Sequence, residues 1–164
     1  MNIKENKTLE TSAKNIAYII ILPVIILASA VWFVEDSIAV TVAHLFQLIC
    51  SLVFYFTSGY IWSLKSKKEL SIFKFYLIFL SLGSFFTASI GFVLSLRLNP
   101  AWGNAVLFMG LFLLMNYPKP TGLNSEFPIW FSDLINKISV MLCICIMLMF
   151  TFWINPYSEP MKVN

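Results

Sequence analysis

The sequence predicts an all-α polytopic membrane protein, a single bundle of five transmembrane helices, and three observations predict it. Five apolar stretches lie between Ile16 and Ile154, most of them near the ~20 residues that a helix needs to cross a bilayer's hydrocarbon core. Hydrophobic residues make up 59% of the chain and charged residues 12%, with a mean hydropathy of +0.83. A water-soluble domain of 164 residues could not bury so much apolar surface. The charges, finally, collect in the connections between the stretches.

Residues 1–15 form an N-tail, and the first span covers 16–34. A basic tail, an apolar run and Ala28-Ser29-Ala30 imitate a secretory signal with its small-x-small cleavage site, and cleavage would leave four spans. Glu5 and Glu10 in the tail, Pro23 within the run and the apolar continuation from Val31 to Val34 weigh against cleavage. The second span covers 38–64. Only Glu35, Asp36 and Ser37 separate it from the first, so the two are antiparallel neighbours. The third covers 73–96, and Asn99-Pro100 marks the turn into the fourth, 101–116. The fourth falls short of a full crossing and must stand upright or borrow Tyr117, the alternative being a re-entrant segment in a four-span protein. The fifth covers 138–154, and residues 155–164 form a tail.

Cationic loops are retained on the cytoplasmic side. Lys4, Lys7, Lys14, Lys65, Lys67, Lys68, Lys74, Lys119 and Lys137 fall on one side of this arrangement and only Arg97 and Lys162 on the other. The N-terminus is therefore expected in the cytoplasm and the C-terminus outside. The net charge of +3 follows from this loop bias and gives no case for nucleic-acid binding.

The longest connection, 117–137, cannot be helical through Tyr117-Pro118-Lys119-Pro120-Thr121-Gly122, whereas Asn124 or Ser125 can cap a helix with Pro128 in its first turn. Ile129, Trp130, Leu134 and Ile138 oppose Ser132, Asp133, Asn136 and Lys137, the pattern of a short amphipathic helix lying in the membrane interface before the last span. Glu126, Pro128, Trp130, Asp133 and Leu134 are the residues through which that segment would anchor to the interface or meet a partner.

Within the membrane, His44, Gln47, Ser51, Tyr55, Ser58 and Trp62 recur every three or four residues along the second span. At ~100° per residue they share an arc of roughly 80°. Polar groups facing lipid are costly, so this face should point inward. It serves either as interhelical hydrogen bonding, worth about 0.6 kcal/mol per bond, or as a ligand or ion path. Gly83, Thr87, Gly91 and Ser95 form a ridge of small side chains on the third span, of the kind that lets backbones approach. The expectation is that stripe and ridge pack on each other.

Chemical motifs are scarce. With His44 as the sole histidine, one chain cannot hold a bis-histidine haem or a multi-histidine metal site. Cys50, Cys143 and Cys145 read as small buried hydrophobes. No phosphate loop, zinc-protease motif or nucleophile elbow occurs, and neither metal nor cofactor is expected.

Leu22-Pro23, Ser58-Gly59-Tyr60-Ile61-Trp62, and Phe127-Pro128-Ile129-Trp130-Phe131 leading to Leu134 and Ile138-Ser139 resemble, in order and placing, a family of small bacterial and mitochondrial multi-pass membrane proteins. That family, a domain of unknown function, includes the animal transmembrane protein 69. The resemblance runs from Ile16 to Ile154 and implies the five-span fold and an inner-membrane setting. Ser58, Ile61 and Ile135 depart from the family's glycine, histidine and arginine, so any role of those polar residues is in doubt here.

The favoured functional reading is a non-enzymatic inner-membrane protein that assembles with or stabilises other membrane components, its partners being the lipid bilayer, other membrane proteins or its own copies. The alternative is a small transporter or ligand-binding bundle using His44, Gln47, Ser51, Tyr55 and Ser58. The expected setting is a bacterial cytoplasmic membrane, or the mitochondrial inner membrane in a eukaryote; the lack of an Arg-rich, acid-poor presequence favours the former.

Overall fold

In lipid a chain must satisfy its own backbone polar groups, and apolar runs without breakers do so as helices. The computed structural model describes residues 3–65, 71–116 and 129–155. Five helices make up nearly all of it: α1 Ile3–Ala30, α2 Asp36–Lys65, α3 Ser71–Arg97, α4 Pro100–Asn116 and α5 Ile129–Ile154. Four of them are long and apolar enough to cross a membrane, over Glu10–Ala30, Asp36–Gly59, Leu77–Arg97 and Asp133–Ile154. α4 is apolar but has only 17 residues, a length of about 25 Å against a hydrocarbon core of about 30 Å.

Local chemistry sets the helix ends. After Ala30 the chain tightens into i→i−3 bonds, Trp32 N–H to Ser29 O at 3.2 Å and Phe33 N–H to Ala30 O at 3.0 Å. Residues 31–34 thus form the turn rather than the end of the span. The Glu35 carbonyl then opens α2, accepting from Ile38 at 2.9 Å and Ala39 at 2.8 Å. Between α3 and α4 only Leu98 and Asn99 intervene. Asn99 Oδ1 accepts the Ala101 N–H at 2.8 Å, and Pro100 follows at the first helical position, where its missing N–H has no intrahelical acceptor. α1 begins well before the apolar stretch, so the expected N-tail is largely helical, with Glu10 and Lys14 paired one turn apart at 2.5 Å. The amphipathic segment from Ile129 is not separated from the last span by a turn. With no breaker inside it and Asp133 bridged to Lys137 at 2.8 Å, it runs as one 26-residue helix to Ile154.

The helices follow one another around the bundle and close from α5 back to α1, while α2 and α4 meet across the middle. This divides the interior in two. Between α1, α2, α4 and α5 lies a dry core that includes Val24, Ala28, Ala43, Phe46, Cys50, Leu107, Ile146, Met149 and Trp153. α1 and α5 run parallel here, Tyr18 sharing a groove with residues 136–141 and Trp32 meeting Phe152 edge-on at 5.4 Å. Between α2, α3 and α4 the interior is small and polar, built on Gln47, Ser51, Ser58, Ser81, Ser84, Ser95 and Asn104.

The buried line of α3 is Leu77, Ser81, Ser84, Ala88, Gly91 and Ser95, alternating steps of four and three. Such a heptad drifts only about 20° per repeat, so two antiparallel helices stay in contact over several turns. The every-fourth ridge of Gly83, Thr87, Gly91 and Ser95 drifts about 40° per step and does not stay on one interface. Gly83 ends up facing outward with open space around it. The rest of the ridge meets α4, and of it Ser95 also meets the α2 stripe, its carbonyl accepting from His44: a Cβ on Gly91 would lie 3.3 Å from Gly103 O, one on Gly103 would lie 2.8 Å from Ser95 Cβ, and one on Gly110 would overlap Thr87. α4 therefore runs antiparallel along α3. Continuing that register brings Asn116 level with Ser81 or Leu82, short of the start of the α3 apolar window at Leu77.

These contacts rank the glycines. Gly103→Ala places a methyl 2.6 Å from Gly91 O and 2.8 Å from Gln47 Nε2, and should destabilise by about 1–3 kcal/mol through overpacking. Gly83→Ala, in open space, should be neutral or stabilising by up to about 1 kcal/mol through helix propensity. Unfolding of the purified protein in mixed detergent measures both, and the opposite ranking would refute the α3–α4 packing.

Candidate functional site

A polar side chain in a span is tolerated when it finds a partner on a neighbouring helix or folds back onto its own. The α2 stripe uses the first solution. Ser58 Oγ donates to Ser81 O at 2.8 Å and Ser81 Oγ returns the bond to Ser58 O at 2.9 Å. Seven residues back along α2 and seven on along α3, Ser51 Oγ donates to Ala88 O at 3.4 Å. Seven further, the His44 Nε2–H donates to Ser95 O at 3.3 Å, which sets the proton-bearing nitrogen. Each bond reaches the backbone of α3, and only small residues on the facing lane, Ser81, Ala88 and Ser95, let it do so. Tyr55 completes the line. Ser89 already gives its proton to Phe85 O at 2.9 Å, so the Tyr55 hydroxyl donates to Ser89 Oγ at 3.0 Å while its ring leans on Phe85 at 5.2 Å.

Hydroxyls on outward or unmatched faces take the second solution. Ser29, Thr57 and Ser84 donate to the carbonyls of Ile25, Val53 and Leu80 one turn back, and Thr151 to Leu148 O. Trp62, the last member of the stripe, is half exposed, and Ile61 beside it is buried instead.

Gln47 differs from its neighbours. Fully buried, it turns to α4, giving one amide proton to Asn104 Oδ1 at 2.5 Å and the other to Pro100 O at 3.4 Å. Asn104 is equally buried. Gln47 Oε1, Asn104 Nδ2 and Ser95 Oγ then have no hydrogen-bonding partner among the described residues. Reversing both amides would exchange the labels yet still leave one acceptor and one donor over. This node lies next to the α3–α4 turn, with His44 one helical turn before Gln47. Asn104 is absent from the residues expected of the site, although the sequence holds a signal for it: an amide inside a stretch as apolar as 101–115 must face a partner.

The remaining described residues singled out by sequence do not join this site. Glu126 and Pro128 lie outside the described residues. Asp133 is exposed and paired with Lys137. Leu134 is 5% exposed. Cys50 and Cys145 sit in the dry core, and Cys143 places its thiol 3.9 Å from Met115 Sδ. No group of three metal-ligating side chains occurs among the described residues. The seam thus brings together hydroxyls, two amides and one imidazole with no carboxylate, a set suited to hydrogen bonding a neutral polar group.

Compared with protein-family models, with curated proteins and with solved structures, the chain matches none of them.

Pairing across the node is testable by a double-mutant cycle. Asn104→Leu alone strands Gln47 and Gln47→Leu alone strands Asn104, each expected to cost about 1–3 kcal/mol. The double variant should cost less than the sum by at least about 0.5 kcal/mol, read from unfolding in detergent. Strict additivity would show that the two amides do not interact.

Proposed function

We propose that this chain is a non-enzymatic integral membrane protein that assembles with or stabilises other membrane components. The observation that carries the reading is the engagement of the α2 polar face: His44, Ser51, Tyr55 and Ser58 all hydrogen-bond to α3. They act there as links between helices. The outward faces carry large apolar side chains, among them Phe33, Phe56, Phe79 and Trp102 at 89%, 81%, 62% and 62% exposure, which suits contact with lipid or with other membrane proteins. Mild-detergent affinity purification followed by mass spectrometry should recover a stoichiometric set of membrane proteins or lipids. A lone, ligand-free protein would overturn the proposal.

The proposal includes five crossings of a bacterial cytoplasmic membrane, or of the mitochondrial inner membrane in a eukaryote. The N-terminus is cytoplasmic, the C-terminus is outside, and the first turns of α5 lie in the interface. Nine of eleven lysines and arginines on one side support the orientation, and the antiparallel run of α4 along α3 supports the fifth crossing. Reporter fusions to the two chain ends should read opposite compartments, and the same compartment would refute an odd number of crossings. Membership of the family that includes transmembrane protein 69 belongs to the same proposal, supported by Gly59, Trp62, Pro128, Trp130 and Leu134.

A second reading has its own observation. The orphaned Gln47 Oε1, Asn104 Nδ2 and Ser95 Oγ favour a binding place for a small neutral guest that both donates and accepts a hydrogen bond. A guest retained by the wild type and lost from Asn104→Leu at unchanged helicity would support it.

A further inference from the structure

The three polar atoms left over where α2, α3 and α4 meet belong to side chains that converge. Gln47 Nε2 and Ser95 Cβ each lie 2.8 Å from the point that a Cβ on Gly103 would occupy, and Asn104 Oδ1 lies 2.5 Å from that same Gln47 nitrogen. Gln47 Oε1 and Asn104 Nδ2 are the other ends of those amides, and Ser95 Oγ is bonded to that Cβ. Gln47, Ser95 and Asn104 are exposed by only 0%, 2% and 0%. Each of the three helices therefore brings one unpartnered polar atom to one buried place. The set asks for both kinds of bond. Gln47 Oε1 only accepts, Asn104 Nδ2 only donates and the Ser95 hydroxyl does either, and reversing the two amides moves the labels while keeping the balance. The surroundings are tight: a methyl on Gly103 would also meet Gly91 O at 2.6 Å, and one on Gly91 would meet Leu107 Cγ at 3.3 Å.

We propose that this place binds a single water molecule, held as a link among α2, α3 and α4. The proposal rests on the second reading above and names its neutral guest. Water donates twice and accepts twice, which suits one obligate acceptor, one obligate donor and one hydroxyl. It donates to Gln47 Oε1, accepts from Asn104 Nδ2 and shares a bond with Ser95 Oγ, and about three partners are usual for a buried water. A cation would face the Asn104 N–H and an anion the Gln47 carbonyl, with no opposite charge in the seam to hold either. An apolar guest would leave all three atoms without a bond. A guest of several heavy atoms would meet the close packing around Gly91 and Gly103. Bound there, the water ties the three helices together at the level where Gln47 turns from α3 to α4.

The test is NMR of the full, isotope-labelled chain in lipid nanodiscs, reading magnetisation transfer from the water resonance to the Asn104 side-chain amide. A held water gives laboratory-frame and rotating-frame transfer of opposite sign, whereas proton exchange gives the same sign in both. The wild type should show the opposite signs. Ser95→Ala removes one of the three partners, leaves the Gln47–Asn104 bond in place and should weaken the transfer at least about twofold. Ser84 already donates to Leu80 O, so Ser84→Ala should leave the transfer unchanged. Circular dichroism checks that both variants keep wild-type helicity. No transfer in the wild type, transfer of the exchange kind alone, or equal effects of the two serine variants would each overturn the proposal. Native mass spectrometry of the same samples separates it from the reading beneath it. A heavier neutral guest retained by the wild type and lost from Asn104→Leu would overturn the water and keep the guest reading, whereas neither water transfer nor a retained guest would remove both.

Discussion

A serine hydroxyl is short, and it reaches a carbonyl oxygen on another helix only where the two backbones lie close. Ser58, Ser51 and His44 each make such a bond to α3, at three levels seven residues apart. The approach they require is granted by Ser81, Ala88 and Ser95 on the opposing lane, and α4 then fits because α3 presents Gly91 to Gly103 and Thr87 to Gly110. Close contact matters more here than in water. Lipid tails are as apolar as leucine, so helices gain little from hiding oily surface from them and depend on packing and interhelical hydrogen bonds.

α2 is consequently a helix with two characters. Ala39, Ala43, Phe46, Cys50 and Phe54 join the dry core shared with α1, α4 and α5, while His44, Gln47, Ser51, Tyr55 and Ser58 join the polar seam. The faces alternate along a single helix without a break, which is why its sequence looks uniformly apolar by window average and becomes informative only by angular position. Gln47 sits where the seam meets α4. It is the stripe residue whose carbonyl end is left over, and so the place where packing and binding could meet in one side chain.

Much of this was legible in the residues. Apolar length and loop charge located the helices, Asn99-Pro100 marked a turn that the structure builds with that asparagine as cap, and the three-to-four spacing on α2 identified an inward polar face. The partner of that face was harder to read. Gly83, Thr87, Gly91 and Ser95 attract attention as glycines and small residues at equal intervals, but equal intervals of four wind around a helix. The contact line follows the mixed intervals of Ser81, Ser84, Ala88, Gly91 and Ser95, whose common property is small size rather than identity. Helix ends were also only approximate, since hydropathy does not distinguish Val31 to Val34 in a turn from the same residues in a span. Asn104 carried a signal that an otherwise apolar stretch masks.

The division of the interior gives the two halves of the bundle different mechanical character. α2, α3 and α4 are pinned by directional bonds at fixed levels, so sliding one past another breaks several at once. α1 and α5 adhere to them mainly through apolar side chains such as Val24, Ala28, Ile146 and Met149, whose contacts are less directional than a hydrogen bond. A change in the lateral pressure of the surrounding leaflets would therefore be absorbed mainly by tilting of α1 and α5, with the hydrogen-bonded trio acting as the rigid post against which they lean.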